Sequence, residues 1–375
     1  MATLEELRAQ LDGIDNEIIE LYKKRMDVCM EIGDIKISEG NKVFDKQRER
    51  EKLAAVAAKV TEEFHKKGVQ ELFEQLMSLS RKLQYQLLTK RGGLGRLPFI
   101  GVDKLDWENS RIVFQGTEGA YSQAAMEMYF GKDTNSFHVQ TFRDAMEAIE
   151  EGSADFAVLP IENSSAGAVN EVYDLLVEFE NYIVGEVVLP INHTLSGVKG
   201  TTLDQIERVY SHPQAFMQSN KFIEEHGWGK VNLANTAISA RYISEQSDKS
   251  RGCIASANAA NIYGLDILHR GINFNDTNTT KFIIVSKDRV ARRNADHICI
   301  SFEMPHESGT LYQMLSHIIY NDLNMTRIES RPVPEKKWEY RFYVEFEGKA
   351  TQAGVVNALS GINAESLNMK ILGNY

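Results

Sequence analysis

Cysteine is scarce in this chain, with Cys29, Cys253 and Cys299 the only three in 375 residues. They are odd in number, far apart and free of any Cys/His metal spacing, which argues against a disulfide scaffold or a zinc module and for reduced, mostly buried thiols. Positive charge is short as well. Lysine and arginine total 42 against 53 acidic residues, a formal charge of -11 with no basic block, which argues against nucleic acid or an anionic membrane as partner. A small anionic substrate would therefore need locally placed cations. No apolar run approaches the length of a membrane span, and the amino terminus opens on an amphipathic helix rather than a signal sequence, so a cytoplasmic soluble protein is expected. Low-complexity segments are lacking too, and 43% hydrophobic residues suffice for a core in each of two or three domains.

What is present begins with a helical seam. Leu4, Leu7, Leu11, Ile14, Ile18, Leu21, Val28, Ile32 and Ile35 alternate steps of three and four, which predicts one helix of about 50 Å at about 1.5 Å per residue. A break at residues 38–42 contains Gly40, and Asp45 is placed to cap a second helix carrying Leu53, Val56, Val60 and Phe64, with Gly68 at its end. A third helix carries Phe73, Leu76, Leu83 and Leu87 before a glycine- and proline-containing linker at 91–110. The first helix outruns the other two, so one chain leaves its stripe uncovered, and a second copy pairing along it as an intertwined homodimer with composite sites is expected.

The period then changes. Residues 111–115, 156–161 and 281–286 read as strands and 122–130, 143–151 and 168–178 as helices, with 182–195 an extended crossover into a second lobe. The polar run Glu162, Asn163, Ser164, Ser165 ends a strand where a helix is expected to start, a place that favours an anion. From 297 the order is strand, helix, strand, strand, helix, strand, a ferredoxin-like βαββαβ unit.

Charges interrupt the helical seams. Arg25 stands between Leu21 and Val28, Glu49 opens the second seam, and Ser80 and Gln84 share the face of Phe73, Leu76 and Leu87. An internal Arg25–Glu49 ion pair with one buried hydrogen bond is the plain account, since an unpaired buried cation costs several kcal/mol. Arg8, Lys36 and Arg48 add further cations near the same faces. Such an excess over one carboxylate points to a ligand with two carboxylates.

The segments LRAQLDGIDNEIIELYKKR, IGDIK, FDKQRERE and SLSRKLQ resemble the all-helical chorismate mutases over residues 1–90. That resemblance implies a cage of Arg25, Lys36, Asp45, Arg48, Glu49, Ser80 and Gln84, with Arg8 from the partner chain. Chorismate to prephenate is a concerted rearrangement, accelerated by restraint and by charge stabilisation at the breaking ether oxygen. Arginines would clamp the carboxylates, Lys36 and Gln84 would donate to the ether oxygen, and Glu49 would accept from the ring hydroxyl.

FQGTEGAYSQAA, VLPIENSSAGAVNEVYDLL, SHPQAFMQS and YGLDILHRGINFNDTNTTKF resemble the prephenate dehydratases across residues 111–286. The implied fold is two-lobed, α/β and periplasmic-binding-protein-like, over 111–287. The implied donor to the leaving hydroxyl is Thr280, with Asn163, Ser164, Gln218, Thr117 and Ser122 holding prephenate. Lys281 stands where the family usually has Arg, which keeps the charge and loses bidentate geometry. Ser219 replaces the Cys of some relatives without obvious chemical consequence.

Gly309, Thr310, Leu311 and Tyr312, with Glu329, Ser330, Arg331 and Pro332, resemble the ACT regulatory domain of the same enzymes, over 297–375. The whole pattern is similar to the bifunctional chorismate mutase/prephenate dehydratases of phenylalanine synthesis. It implies L-phenylalanine as effector, a homodimer or dimer of dimers, and no cofactor or metal. Two rivals remain open: a non-catalytic amino-acid sensor dimerised by its helices, and an enzyme that has kept one activity. Glu49, Ser80 and Gln84 argue against the sensor, because a plain dimerisation coil does better with leucine there.

Overall fold

The computed structural model describes residues 2–92, 97–275, 277–334 and 336–375. Part of the expected linker, residues 93–96, lies outside the described residues. The chain divides into two compact units, Met1–Leu97 with Phe302–Met369, and Pro98–Ser301 with Lys370–Tyr375.

In the first unit the leading helix runs Leu4–Glu39. Thr3 and Glu6 form a reciprocal capping box at its start, and Gly40, at φ 71°, ends it in the left-handed conformation that glycine adopts without Cβ strain. Asp45 caps the second helix, Lys46–Ala57, by accepting from the Arg48 backbone N–H. The break before the third helix, Glu63–Lys90, falls at residues 58–62 rather than at Gly68. Gly68 sits inside that helix on an exposed face. An interior glycine costs about 1 kcal/mol relative to alanine. Twenty-eight residues of helix that bury Met77, Ser80, Gln84 and Tyr85 absorb that cost. At Gly33 a Cβ would meet Gln84 Cγ at 3.0 Å, so this glycine lets the first and third helices approach closely. The apolar stripe of the first helix is uncovered within the chain, with Leu11 58% and Ile18 54% exposed.

From residue 297 the chain follows the expected strand and helix order, His297–Glu303, Thr310–Tyr320, Met325–Pro332, Tyr340–Glu347, Ala353–Glu365 and Leu367–Asn374, with residues 297–301 and 370–374 of its first and last strands belonging to the second unit. The second of these strands lies at one edge, followed by the third, the first and the last. Glu303 is buried and offset by three donors, Lys336 Nζ at 2.9 Å, Arg341 Nη2 at 2.6 Å and Asn368 Nδ2 at 3.0 Å.

The second unit has two lobes, each built on a sheet. In the first lobe Tyr182–Pro190, Thr279–Ser286, Phe156–Asn163, Ile112–Gln115 and Ser136–Val139 lie in that order. In the second the order is Asp266–Arg270, His193–Gly197, Arg251–Ser256, Arg208–Ser211 and Gly229–Asn232. The chain passes between lobes twice, from Tyr182–Pro190 into His193–Gly197 and from Asp266–Arg270 back into Thr279–Ser286. Phe156–Asn163 pairs parallel with Ile112–Gln115 and antiparallel with Thr279–Ser286, which is why its apolar run is nearly continuous. Gly119, at φ 83°, marks a close approach between lobes: a Cβ there would lie 2.8 Å from Ala259 Cα. All three cysteines are free and buried, and among the described residues no helix is long and apolar enough to cross a membrane.

Candidate active site

Strand register places the central pair of the two-lobed unit. Thr280 and Asn163 are direct partners on adjacent antiparallel strands, so their side chains lie on one face. The amide of Asn163 is oriented by its surroundings: its Oδ1 accepts from the backbone N–H groups of Ser165 and Ala166, both at 3.0 Å. Its Nδ2 must therefore point the other way, where Thr280 Oγ1 at 2.9 Å, Asn278 Oδ1 at 2.9 Å and the Thr279 carbonyl at 3.0 Å compete for two hydrogens. Thr280 Oγ accepts from Asn163, which leaves its own proton to be donated.

A chain of buried groups continues behind this pair. Gln218 Nε2 reaches Asn163 Oδ1 at 3.4 Å, and Gln218 Oε1 accepts from His193 Nε2 at 2.8 Å. The other ring nitrogen, Nδ1, lies 2.9 Å from the hydroxyl of Tyr121. Burial pushes the His193 pKa below its ordinary value, although its bond to Gln218 opposes this, and burial pushes the Tyr121 hydroxyl upward. A neutral imidazole with its proton on Nε2 satisfies both bonds.

Thr280, Asn163, Gln218, His193 and Tyr121 line an open cavity of about 530 Å³ between the two lobes. Asn163, Gln218, Ser122 and Thr280, all expected at the site, are in its wall. Thr117 and Ser164, also expected there, are not in it. Thr117 is buried, and its carbonyl accepts from the Ala120 N–H. Ser164 is committed to the Thr279 backbone, its Oγ accepting from that N–H at 3.0 Å. Nor does a helix begin at Asn163 or Ser164. The chain first turns back as a short strand, Gly167–Ala168, and the helix starts at Asn170.

The anion-favouring groups come from elsewhere. The starts of Tyr121–Phe130 and Thr236–Gln246, two helices of ten and eleven residues, both contribute to the cavity wall. The wall holds no lysine or arginine among the described residues, which corrects the expectation of local cations. Lys281 Nζ is paired with Glu186 at 3.0 Å on the neighbouring strand. Sequence reasoning missed His193, Tyr121 and Asn278. Tyr121 lay within a quoted motif, but nothing in the spacing marked it as a partner for a histidine 72 residues away.

In the helical segment the Arg25–Glu49 pair of the plain account does not form. Arg25 Nη1 donates to Ser80 Oγ at 2.6 Å and to the Leu76 carbonyl at 2.9 Å, so the third helix holds its guanidinium. Gln84 Nε2 reaches the Cys29 carbonyl at 3.3 Å, while its buried Oε1 has no partner. Lys36 Nζ donates to the Val43 carbonyl at 2.7 Å. Glu49 is gripped instead by Arg81, whose Nη1 lies 2.5 and 2.6 Å from the two carboxylate oxygens. Burial raises the Glu49 pKa, against the pull of Arg81. Arg8, Asp45 and Arg48 are exposed in the single chain and are not drawn into this group, Asp45 serving as the helix cap.

In the carboxyl-terminal segment Gly309, Thr310, Leu311 and Tyr312 line a separate cavity of about 410 Å³, together with Trp338, Tyr340 and Phe342. Gly309, at φ 82°, starts the helix there. Glu329, Ser330, Arg331 and Pro332 do not line this cavity; they lie on the edge strand, where Pro332 is paired with the wall residue Tyr340.

A two-lobed α/β body with a polar cleft, preceded by a helical bundle with polar groups on its seams, defines a multidomain enzyme. Residues 112–290 match the family model for prephenate dehydratase and residues 7–85 that for chorismate mutase type II. The chain belongs to the bifunctional chorismate mutase/prephenate dehydratase family, and it is an enzyme with both activities. It is 29% identical over 379 residues to the bifunctional chorismate mutase/prephenate dehydratase of Aquifex aeolicus, covering 100% of this chain and 98% of that one. It is 35% identical over 285 residues to arogenate dehydratase/prephenate dehydratase 6 of Arabidopsis thaliana, covering 71% and 69%. Among solved structures, the Arthrobacter aurescens prephenate dehydratase in complex with L-Phe is similar with a TM-score of 0.66 and 29% identity, over 71% of this chain and 89% of that one. A quorum quenching acylase, GqqA, is similar with a TM-score of 0.64 and 33% identity, over 70% and 96%.

Proposed function

We propose that residues 1–90 convert chorismate to prephenate, that residues 111–287 convert prephenate to phenylpyruvate, and that residues 297–375 bind L-phenylalanine and restrain the second step. The observation that carries the dehydratase assignment is the Thr280–Asn163 pair, a hydroxyl that accepts from Asn163 Nδ2, keeps its own proton to donate and lines the cavity. Loss of the ring carboxylate as CO2 pushes an electron pair into the ring, and hydroxide leaves from the opposite carbon. Thr280 donates a hydrogen bond to that departing oxygen, which becomes water with a proton drawn from solvent, while helix amide groups hold the carboxylates. In the helical segment Arg25 holds a carboxylate, Lys36 and Gln84 donate to the ether oxygen, and Glu49 accepts from the ring hydroxyl.

Arg8 completes the mutase site only from a second copy, and the uncovered stripe of Leu4–Glu39 is the surface along which that copy packs. Sedimentation should give a dimer at micromolar concentration; a monomer retaining full mutase turnover would remove the partner's Arg8 from the account. For the effector, the amino-acid-sized cavity at Gly309–Tyr312 and the L-Phe complex of the Arthrobacter relative support the assignment. Its backbone N–H groups would meet the carboxylate, and Trp338 and Phe342 the ring. Inhibition then requires that phenylalanine prefer a state of the protein in which dehydration is slow. Calorimetry should detect L-phenylalanine binding that disappears in Gly309→Val, a residue strained at positive φ. No heat in the unmodified protein at about 1 mM, where a binding free energy near 4 kcal/mol suffices, would refute the assignment.

A further inference from the structure

The helical and carboxyl-terminal segments of the first unit meet through a buried charge cluster. Arg81, on the same helix as Ser80 and Gln84, grips Glu49 with Nη1 and turns its other edge to Glu365, Nε to Oε1 at 2.7 Å and Nη2 to Oε2 at 3.1 Å. Glu365 closes the Ala353–Glu365 helix of the carboxyl-terminal segment, with its side chain 2% exposed. On its far side His317 Nε2 lies 3.2 Å from Oε1, and the His317 ring meets Tyr85 edge-on. Thr89 and Asn357 hydrogen-bond nearby, and Gln313 donates to Glu74 at 3.3 Å, so the two segments are held together at several points. One guanidinium thus makes four hydrogen bonds, two to each of two carboxylates, one of which is the group assigned above to the chorismate ring hydroxyl.

A residue needed only for packing would not be arranged this way. Arg81 and Glu365 form a bidentate pair in a fixed plane, and that plane sets the direction from which Nη1 reaches Glu49. Without Glu365 the guanidinium is free to rotate its paired edge wholly onto Glu49 and draw the carboxylate off its present orientation. We propose that Glu365 is a positioning residue for the mutase reaction, acting through Arg81 on Glu49, so that the working mutase site is completed by the carboxyl-terminal segment of its own chain. The proposal rests on the reading that Glu49 touches substrate.

The charged groups around Glu49 are Arg81 on the third helix, Lys36 on the first and Glu365 on the last, and the first and last of these carry opposite charge. The acid limb of the mutase pH profile reports the ionisation of Glu49, which must be a carboxylate to accept the hydroxyl hydrogen. Burial raises that pKa, Arg81 lowers it and Glu365 raises it. Removing the negative Glu365 favours the carboxylate and moves the limb to lower pH; removing the positive Arg81 moves it to higher pH. The limb thus reports the charges around Glu49, and the loss of kcat at pH values above it, where Glu49 is ionised in every variant, reports its orientation.

The test measures mutase kcat and KM against pH for full-length Glu365→Gln, Arg81→Met, the double variant and Glu49→Gln, with turnover of supplied prephenate as a control for folding. Glu365→Gln should lower mutase kcat at least fivefold with the limb displaced downward, and Arg81→Met should lower it with the limb displaced upward. The double variant should match Arg81→Met in kcat within twofold, because Glu365 orients Glu49 through Arg81, while its limb should lie below that of Arg81→Met, because the charge of Glu365 also acts on Glu49 through space. Wild-type turnover and an unmoved limb in Glu365→Gln would overturn the proposal while Glu49→Gln remained impaired. If Glu365→Gln loses its fold, an unmoved limb in Arg81→Met overturns it. Full activity in Glu49→Gln would instead overturn the reading of Glu49 itself, and the proposal with it.

Discussion

Arg25→Ala should lower mutase turnover by at least about a hundredfold, near 2.7 kcal/mol of transition-state stabilisation, and leave the turnover of supplied prephenate within twofold. The size follows from how the guanidinium is held. Ser80 Oγ at 2.6 Å and the Leu76 carbonyl at 2.9 Å fix its Nη1 from the third helix, so the remaining N–H groups are already aimed when a carboxylate arrives. Alanine removes both the charge and this preorganisation, and leaves Ser80 Oγ with only the weak Cys29 thiol as donor among the described residues. Lys36→Ala and Gln84→Ala should follow the same split, because neither residue lies in the wall of the two-lobed cavity. Steady-state assays on each substrate separately check this. Equal loss of both activities in a well-folded variant would contradict the assignment of two sites.

Thr280→Val should slow dehydration at least tenfold, about 1.4 kcal/mol, while prephenate still binds. Valine keeps the branched shape that the strand and cavity accommodate but removes the hydroxyl that accepts from Asn163 Nδ2 and can donate into the cleft. Asn163 retains Asn278 Oδ1 and the Thr279 carbonyl as acceptors, so the substitution does not strand its amide. The fold should therefore survive, and the loss should fall on kcat rather than KM. Unchanged kcat would make the hydroxyl structural. Lys281→Arg, by contrast, should be tolerated, since Lys281 is engaged with Glu186 rather than with the cavity.

Periodic patterns carried most of the architecture. The three-and-four spacing from Leu4 to Ile35 becomes one helix, and the alternation after residue 297 becomes the expected order of strands and helices. Reading failed where a local signal was outweighed by packing. Gly68 suggested a stop, but the helix that contains it is anchored by buried residues further on. The polar run after Ile161 suggested a helix start, but Asn163 uses its side chain to cap the turn that leads into a short strand pair. Site residues followed the same division. Thr280 and Asn163 were legible because they sit in recognisable motifs, and their adjacency is a matter of strand register. Arg81 and Glu365 were not, because a charge pair across 284 positions leaves no trace in spacing, and Arg81 on its own reads as one more surface cation.

The central claim is that one chain carries two separate sites that act in series. Mixing equal amounts of separately purified Arg25→Ala and Thr280→Val proteins and supplying chorismate tests it most directly, with prephenate and phenylpyruvate followed together. Thr280→Val alone should accumulate prephenate, Arg25→Ala alone should leave chorismate largely unconverted, and the mixture should make phenylpyruvate through free prephenate. A mixture that forms no more phenylpyruvate than its two components tested singly would contradict the account.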